Sequence, residues 1–192
     1  METRASEPLG ELLEDGTVVF ERLLPGSLER VWDYLIDGDL RAKWLAGGDM
    51  PTTPGAQGTL LFDHKHLATD APPAKYADFT APMHMAYEVL DCRPPYHIRF
   101  TWPDSADNRL SVVDIELSEA GGGVLLRLTH RHLGATVDNL TGVLAGWDAH
   151  MGLLSDHLSG NAPRPFWTSL TANEVRYGDH YRKAIAALTR PI

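Results

Sequence analysis

The sequence predicts an α+β fold in which one antiparallel sheet is covered on a single face by a long C-terminal helix. Three observations carry this reading. Several runs alternate apolar and polar side chains, so each has one covered and one wet face, as antiparallel strands do when something packs on one side only. Leu140, Val143, Leu144, Trp147, Met151, Leu154 and Leu158 recur at helical spacing and define one apolar stripe. Pro94-Pro95 joins two alternating runs, and proline's missing N–H and fixed φ mark a turn between strands.

Residues 1–16 are polar and acidic and are expected to be a flexible segment. Thr17 to Leu24 is the first strand, stopped by Pro25-Gly26. Ser27 is placed as an N-cap with Glu29 in the first turn, and Leu28, Val31, Trp32 and Leu35 give a short helix over 28–36. Asp37 or Asp39 caps a second short helix, 39–45, carrying Leu40 and Trp44 and ended by Gly47-Gly48. Residues 46–58 form a loop. Thr59 to His64 follows as a strand, with Leu60, Phe62 and His64 on one face and Thr59 and Asp63 on the other. Residues 65–82, with Asp70 and Asp78, have no clean period and read as a long loop, a feature that often forms a lid or mouth.

Strands at 83–92 and 96–102 make the Pro94-Pro95 hairpin. Tyr87 and Val89 share a face of the first, and Ile98, Phe100 and Trp102 share a face of the second. A turn from Pro103 to Asn108 leads to a strand from Arg109 to Leu117, which points Ser111, Val113, Ile115 and Leu117 one way and Asp114 and Glu116 the other. Gly121 to Gly123 turns the chain into Val124 to His132, where Val124, Leu126, Leu128, His130 and His132 share a face. The long helix is capped by Asp138 or Asn139 and stopped by Gly160-Asn161 and Pro163. Residues 161–192 read as a C-terminal helical appendage to a domain at 17–160. There, Thr171 to Glu174 makes a capping box, Phe166 and Trp167 lie in the linker, and Val175, Gly178, Tyr181, Ile185 and Leu188 form a stripe. That stripe must bury itself on the parent domain or on a partner subunit, which opens a route to a homodimer.

The formal net charge of −9, with no offsetting Lys/Arg run, argues against nucleic acid and against attraction to anionic lipid. A single cysteine, Cys92, gives neither a disulfide nor a zinc pattern. No apolar run is long enough for membrane insertion and no signal-peptide core is present, so a cytoplasmic protein is expected.

The order of elements resembles the START/Bet v 1-like (SRPBCC) superfamily, and within it the Hsp90 ATPase activator homologue 1-like family. The matching residues are Pro25 to Leu35, Lys43-Trp44-Leu45, Gly58 to Phe62, Tyr87 to Asp91, Pro94-Pro95, Phe100 to Trp102, Gly123 to His130, and Gly146-Trp147, together covering roughly 17–160. The resemblance implies a helix-grip fold: a curved antiparallel sheet of about six strands wrapped on the long helix, with two short helices after the first strand. It also implies a cavity between sheet and helix that takes apolar small molecules.

His64, His130 and His132 fall in phase with apolar positions. His64 and His130 suit polar anchors in an apolar pocket, whereas His132 falls at a frayed strand end. No carboxylate-plus-His spacing supports a metal, and no nucleotide, nucleophile-elbow or zinc-protease motif appears, so neither metal nor cofactor is expected. Ligand-contacting candidates are Trp44, Phe62, His64, Met85, Tyr87, Phe100, Trp102, His130, Trp147 and Met151; each aromatic and each methionine is equally a core filler. The leading expectation is a non-enzymatic binder of an apolar or amphipathic small molecule. One alternative is a cyclase- or dehydratase-like enzyme with His130 as acid–base and Tyr87 as partner. The other is a protein-interaction or co-chaperone-like module.

Overall fold

The structure is a computed structural model that describes residues 7–77, 81–103, 110–133 and 137–188; of Val137 and Asp138 it describes the backbone only. Residues 104–108 of the expected turn, the strand start at Arg109, Asp78, and residues 1–6 of the N-terminal segment expected to be flexible lie outside the described residues. Seven strands make one antiparallel sheet: β1 (Glu11–Leu12), β2 (Val18–Leu24), β3 (Gln57–Phe62), β4 (Met83–Arg93), β5 (His97–Pro103), β6 (Leu110–Ala120) and β7 (Gly123–Arg131). Their order in the sheet is β1-β2-β7-β6-β5-β4-β3. The helices are α1 (Leu28–Ile36), α2 (Gly38–Arg41), α3 (His64–Leu67), α4 (Val137–Leu158) and α5 (Phe166–Leu188). The sheet curves around α4, which is the helix-grip arrangement.

The alternation read from the sequence sets the register. Phe20 pairs with Leu128, Leu128 with Ile115, and Val113 with Phe100, so one apolar face runs unbroken across the sheet. These residues are all buried against α4, where Leu144, Ala145, Met151, Leu153 and Leu154 meet them. The hairpin turn contains a cis Pro94-Pro95 bond, and Tyr96 N–H donates to Arg93 O at 2.8 Å.

Five sequence expectations are corrected. The sheet has seven strands rather than about six, because the two-residue β1, too short to show alternation, pairs Glu11 with Val19. Strand β3 ends at Phe62, and His64 opens α3 with Asp63 as its cap. Helix α4 begins at Val137, so Asp138 and Asn139, expected just before it, lie within it. Helix α5 begins at Phe166, and Thr171 is inside it, its hydroxyl donating to Trp167 O at 2.8 Å. Asp114 does lie on the outer face of the sheet, yet it is buried, held by Arg99 at 2.8 Å, His97 at 2.7 Å and Arg131 at 3.3 Å. Long basic side chains on neighbouring strands cover that carboxylate, an effect alternation cannot report.

Two features place the walls of the site. Ser27 caps α1, and Asp37 caps α2 by accepting from Asp39 N and Leu40 N at 2.9 Å. The buried Arg41 guanidinium then donates to the carbonyls of Leu35, Ile36, Gly47 and Gly48, fixing the segment that carries Trp44 and Leu45. The second feature is α5. The stripe expected from the sequence is corrected: Ile185 is buried but Val175 is 63% exposed, and the face of α5 that is covered within the single chain is Phe166, Trp167, Leu170, Tyr177 and Ile185.

Candidate functional site

A cavity of about 360 Å³ lies between the sheet, α4 and the first turns of α5. Phe62, Trp102 and His130 line it from the sheet, Gly142, Val143, Gly146, Trp147 and His150 from α4, and Phe166, Trp167 and Leu170 from α5. Leu45, His64, Tyr76 and Asn139 complete the wall. The space exists because α4 presents glycines where it faces the cavity. A Cβ built on Gly142 or Gly146 meets nothing within 4 Å. Each interior helix glycine costs about 1 kcal/mol relative to alanine, which the helix tolerates beside an opening.

The rings form a continuous lining. Trp102 lies 5.1 Å from Trp147 and 5.9 Å from Phe62, and Phe166 lies 5.1 Å from Trp167. Tyr76 stacks on Trp167 at 5.4 Å. Three histidines interrupt the apolar wall, and their hydrogen bonds differ. His130 is fully engaged: Ser111 Oγ donates to Trp102 O at 2.8 Å, so His130 Nε2–H donates to Ser111 Oγ at 2.7 Å. Its Nδ1 accepts from Trp147 Nε1 at 3.1 Å. His150 donates through Nδ1 to Trp44 O at 2.6 Å. Burial, and then the nearby His64 ring, push its pKa down to about 3 despite that carbonyl, so the ring is neutral. His64 sits 5.8 Å from His150 and 5.4 Å from Trp167, and burial lowers its pKa against the opposing pull of Asp63.

The mouth is organised by the long loop expected at 65–82. Asp70 accepts from Trp167 N at 3.1 Å and from Thr168 N and Thr168 Oγ1 at 2.8 Å, and so caps α5 from far away in sequence. Burial works to raise its pKa, but those hydrogen bonds outweigh it and the net shift is downward. Further along, Lys75 pairs with Glu174 at 2.6 Å, and Tyr76 donates to the same carboxylate.

Of the residues singled out from sequence, Phe62, His64, Trp102, His130 and Trp147 are brought together around the cavity. Trp44, Tyr87, Phe100 and Met151 are in the solid core instead, and Met85 packs against its edge. Trp44 contributes through its carbonyl alone. Tyr87 hydroxyl donates to Asp49 O at 2.7 Å, and its ring lies across Gly58, where a Cβ would come within 2.3 Å of the hydroxyl. Burial raises that phenol to about 12. Tyr87 and His130 therefore do not meet at the cavity. Sequence reasoning missed His150, although it lies one helical turn from Trp147 on the same stripe, and with it Gly142 and Gly146, spaced by fours from His150. It also placed Phe166 and Trp167 in a linker outside the site. His132 is exposed, as its position at the strand end suggested. Among the described residues no cluster of His, Cys, Asp and Glu could hold a metal.

This is a START/SRPBCC fold of the helix-grip type. The family model for activator of Hsp90 ATPase homolog 1-like protein matches residues 25–159, and the chain belongs to that family. The solution structure of the protein encoded by gene BPP1335 from Bordetella parapertussis is 42% identical, with a TM-score of 0.76 over 92% of this chain and 94% of that one. CalU16 from Micromonospora echinospora is 16% identical, with a TM-score of 0.63 over 93% of this chain and 95% of that one, a likeness of fold. DynU16, a putative protein in the dynemicin biosynthetic locus, is 17% identical, with a TM-score of 0.59 over 79% of this chain and 50% of that one, again a likeness of fold. No curated protein matches.

Proposed function

We propose that the protein binds an apolar or amphipathic small molecule in this cavity, without catalysing its conversion. The observation that carries the reading is the cavity wall itself: aromatic and aliphatic side chains broken by a few polar atoms, with no Lys, Arg, Asp or Glu lining it among the described residues. Ligand sites are built this way, with apolar area for affinity and sparse polar groups for orientation. The volume of about 360 Å³ is at the small end for such sites and suits a molecule of two or three rings rather than a long lipid. Against acid–base catalysis stands the saturation of His130, whose two nitrogens are both committed within the protein.

Native mass spectrometry of freshly purified protein, with a thermal-shift screen of small aromatic and aliphatic compounds, tests this. A co-purified adduct, or a hit that raises Tm by about 5–10 °C at a hundredfold excess over Kd, is expected. No adduct and a flat screen would contradict the reading.

A further inference from the structure

Resting on that reading, we infer that the ligand is a neutral aromatic molecule carrying a hydrogen-bond donor, such as a phenolic hydroxyl or ring N–H, which it presents to Nε2 of His150 beside His64. The lone pairs of His150 require it. The Nδ1–H of His150 is committed to Trp44 O at 2.6 Å, so in the neutral ring Nε2 carries the lone pair. His150 is only 8% exposed and lines the cavity. Among the described residues none donates to its Nε2, and neither ring nitrogen of His64 has a hydrogen-bond partner there.

The ring also resists a second proton, its pKa standing at about 3, so Nε2 remains an acceptor through the neutral range. A hydrocarbon seated here strands that acceptor, and an ether or ketone oxygen sets lone pair against lone pair. A hydroxyl or N–H satisfies it. Aromatic character follows from the rings on both sides of the space, Trp102 and Trp147 on one and Phe166 and Trp167 on the other. Neutrality follows from the described lining, which offers no carboxylate, Lys or Arg to balance a ligand charge.

The test is calorimetric titration with three probes of one shape: 2-naphthol, 2-methoxynaphthalene and naphthalene. The expected result is that 2-naphthol binds at least about tenfold more tightly than the other two, the usual consequence of leaving a buried polar group unpaired. In His150→Phe the preference collapses to about threefold or less. If that variant does not fold, the ¹⁵N resonance of His150 Nε2 in the unaltered protein replaces it, and is expected to move with 2-naphthol and to stay put with 2-methoxynaphthalene. Equal affinities for all three probes, or an unmoved Nε2 resonance, overturn the donor requirement while leaving small-molecule binding intact. Binding of none of them overturns the binding reading itself.

Discussion

The two halves of α5 do different work on the same helix α4. The first half, Phe166 to Leu170, faces open space and touches the rest of the protein through rings and through the loop residues Asp70, Lys75 and Tyr76. The second half is nailed down by buried charge. Tyr177 hydroxyl donates to Asp148 at 2.8 Å and accepts from Gly10 N at 2.7 Å, while Arg22 reaches the other Asp148 oxygen at 2.8 Å. Arg176 donates to Glu7 O and Tyr181 to Gly10 O. The contrast extends along α4: Trp147 and His150 serve the cavity, while Asp148, between them in sequence, serves the anchor. A helix held firmly at one end and lightly at the other can cover a ligand site without the site having to be packed solid.

The sharpest way to break this comparison is at the anchor. Asp148→Ala leaves the Arg22 guanidinium, 4% exposed, without its close partner and is expected to cost about 3–5 kcal/mol in urea unfolding. A loss under about 1 kcal/mol would mean that α5 is not anchored there.

The cavity side is expected to respond to pH instead. The folded pKa of His150 lies below its unfolded value, so the unfolded chain takes up a proton that the native ring refuses. Its contribution is therefore complete above about pH 6.5 and is lost as pH falls toward about 3. The slope is at most about 1.4 kcal/mol per pH unit, which gives about 2 kcal/mol by pH 5. In His150→Gln this component of the stability–pH curve disappears; an unchanged curve would place the titration elsewhere.

Smaller effects sharpen the contrast. Gly146→Ala is expected to raise stability by about 1 kcal/mol, because it gains helix propensity and its Cβ meets nothing. A loss would show that the space beside Gly146 is not open. Glu174→Gln removes the charge that Lys75, 66% exposed, is paired with. It is expected to cost under about 1 kcal/mol, while ligand dissociation in stopped-flow fluorescence becomes faster. Unchanged dissociation would mean that the loop does not hold the roof.

The sheet and its register were legible because each strand alternates and a one-residue slip would turn every apolar side chain outward. Phe62, Trp102, His130 and Trp147 followed from that phase. The difference between lining and core did not. Tyr87 and Phe100 have the same phase as Trp102, yet they are buried in the core against each other, with Tyr87 reaching across Gly58 to Asp49 O. Periodicity reports which face a residue is on and not how near the covering helix comes. His64 reached the cavity by a different route from the expected one, as the first residue of α3. Its partner His150 was visible in principle, since a histidine one turn from Trp147 in an apolar stripe asks for a partner. The roof was hidden for another reason: Asp70 caps α5 from another part of the chain, and such a contact leaves no local pattern.

The ligand is expected to sit in the space between Trp102, Trp147 and Trp167. Gly146→Leu tests this most directly, because its side chain grows into that space from α4 and leaves the anchor untouched. Calorimetric titration with 2-naphthol is expected to show binding to the unaltered protein and no measurable binding to Gly146→Leu, with the variant's urea midpoint undiminished. Equal affinity in both proteins would contradict the account.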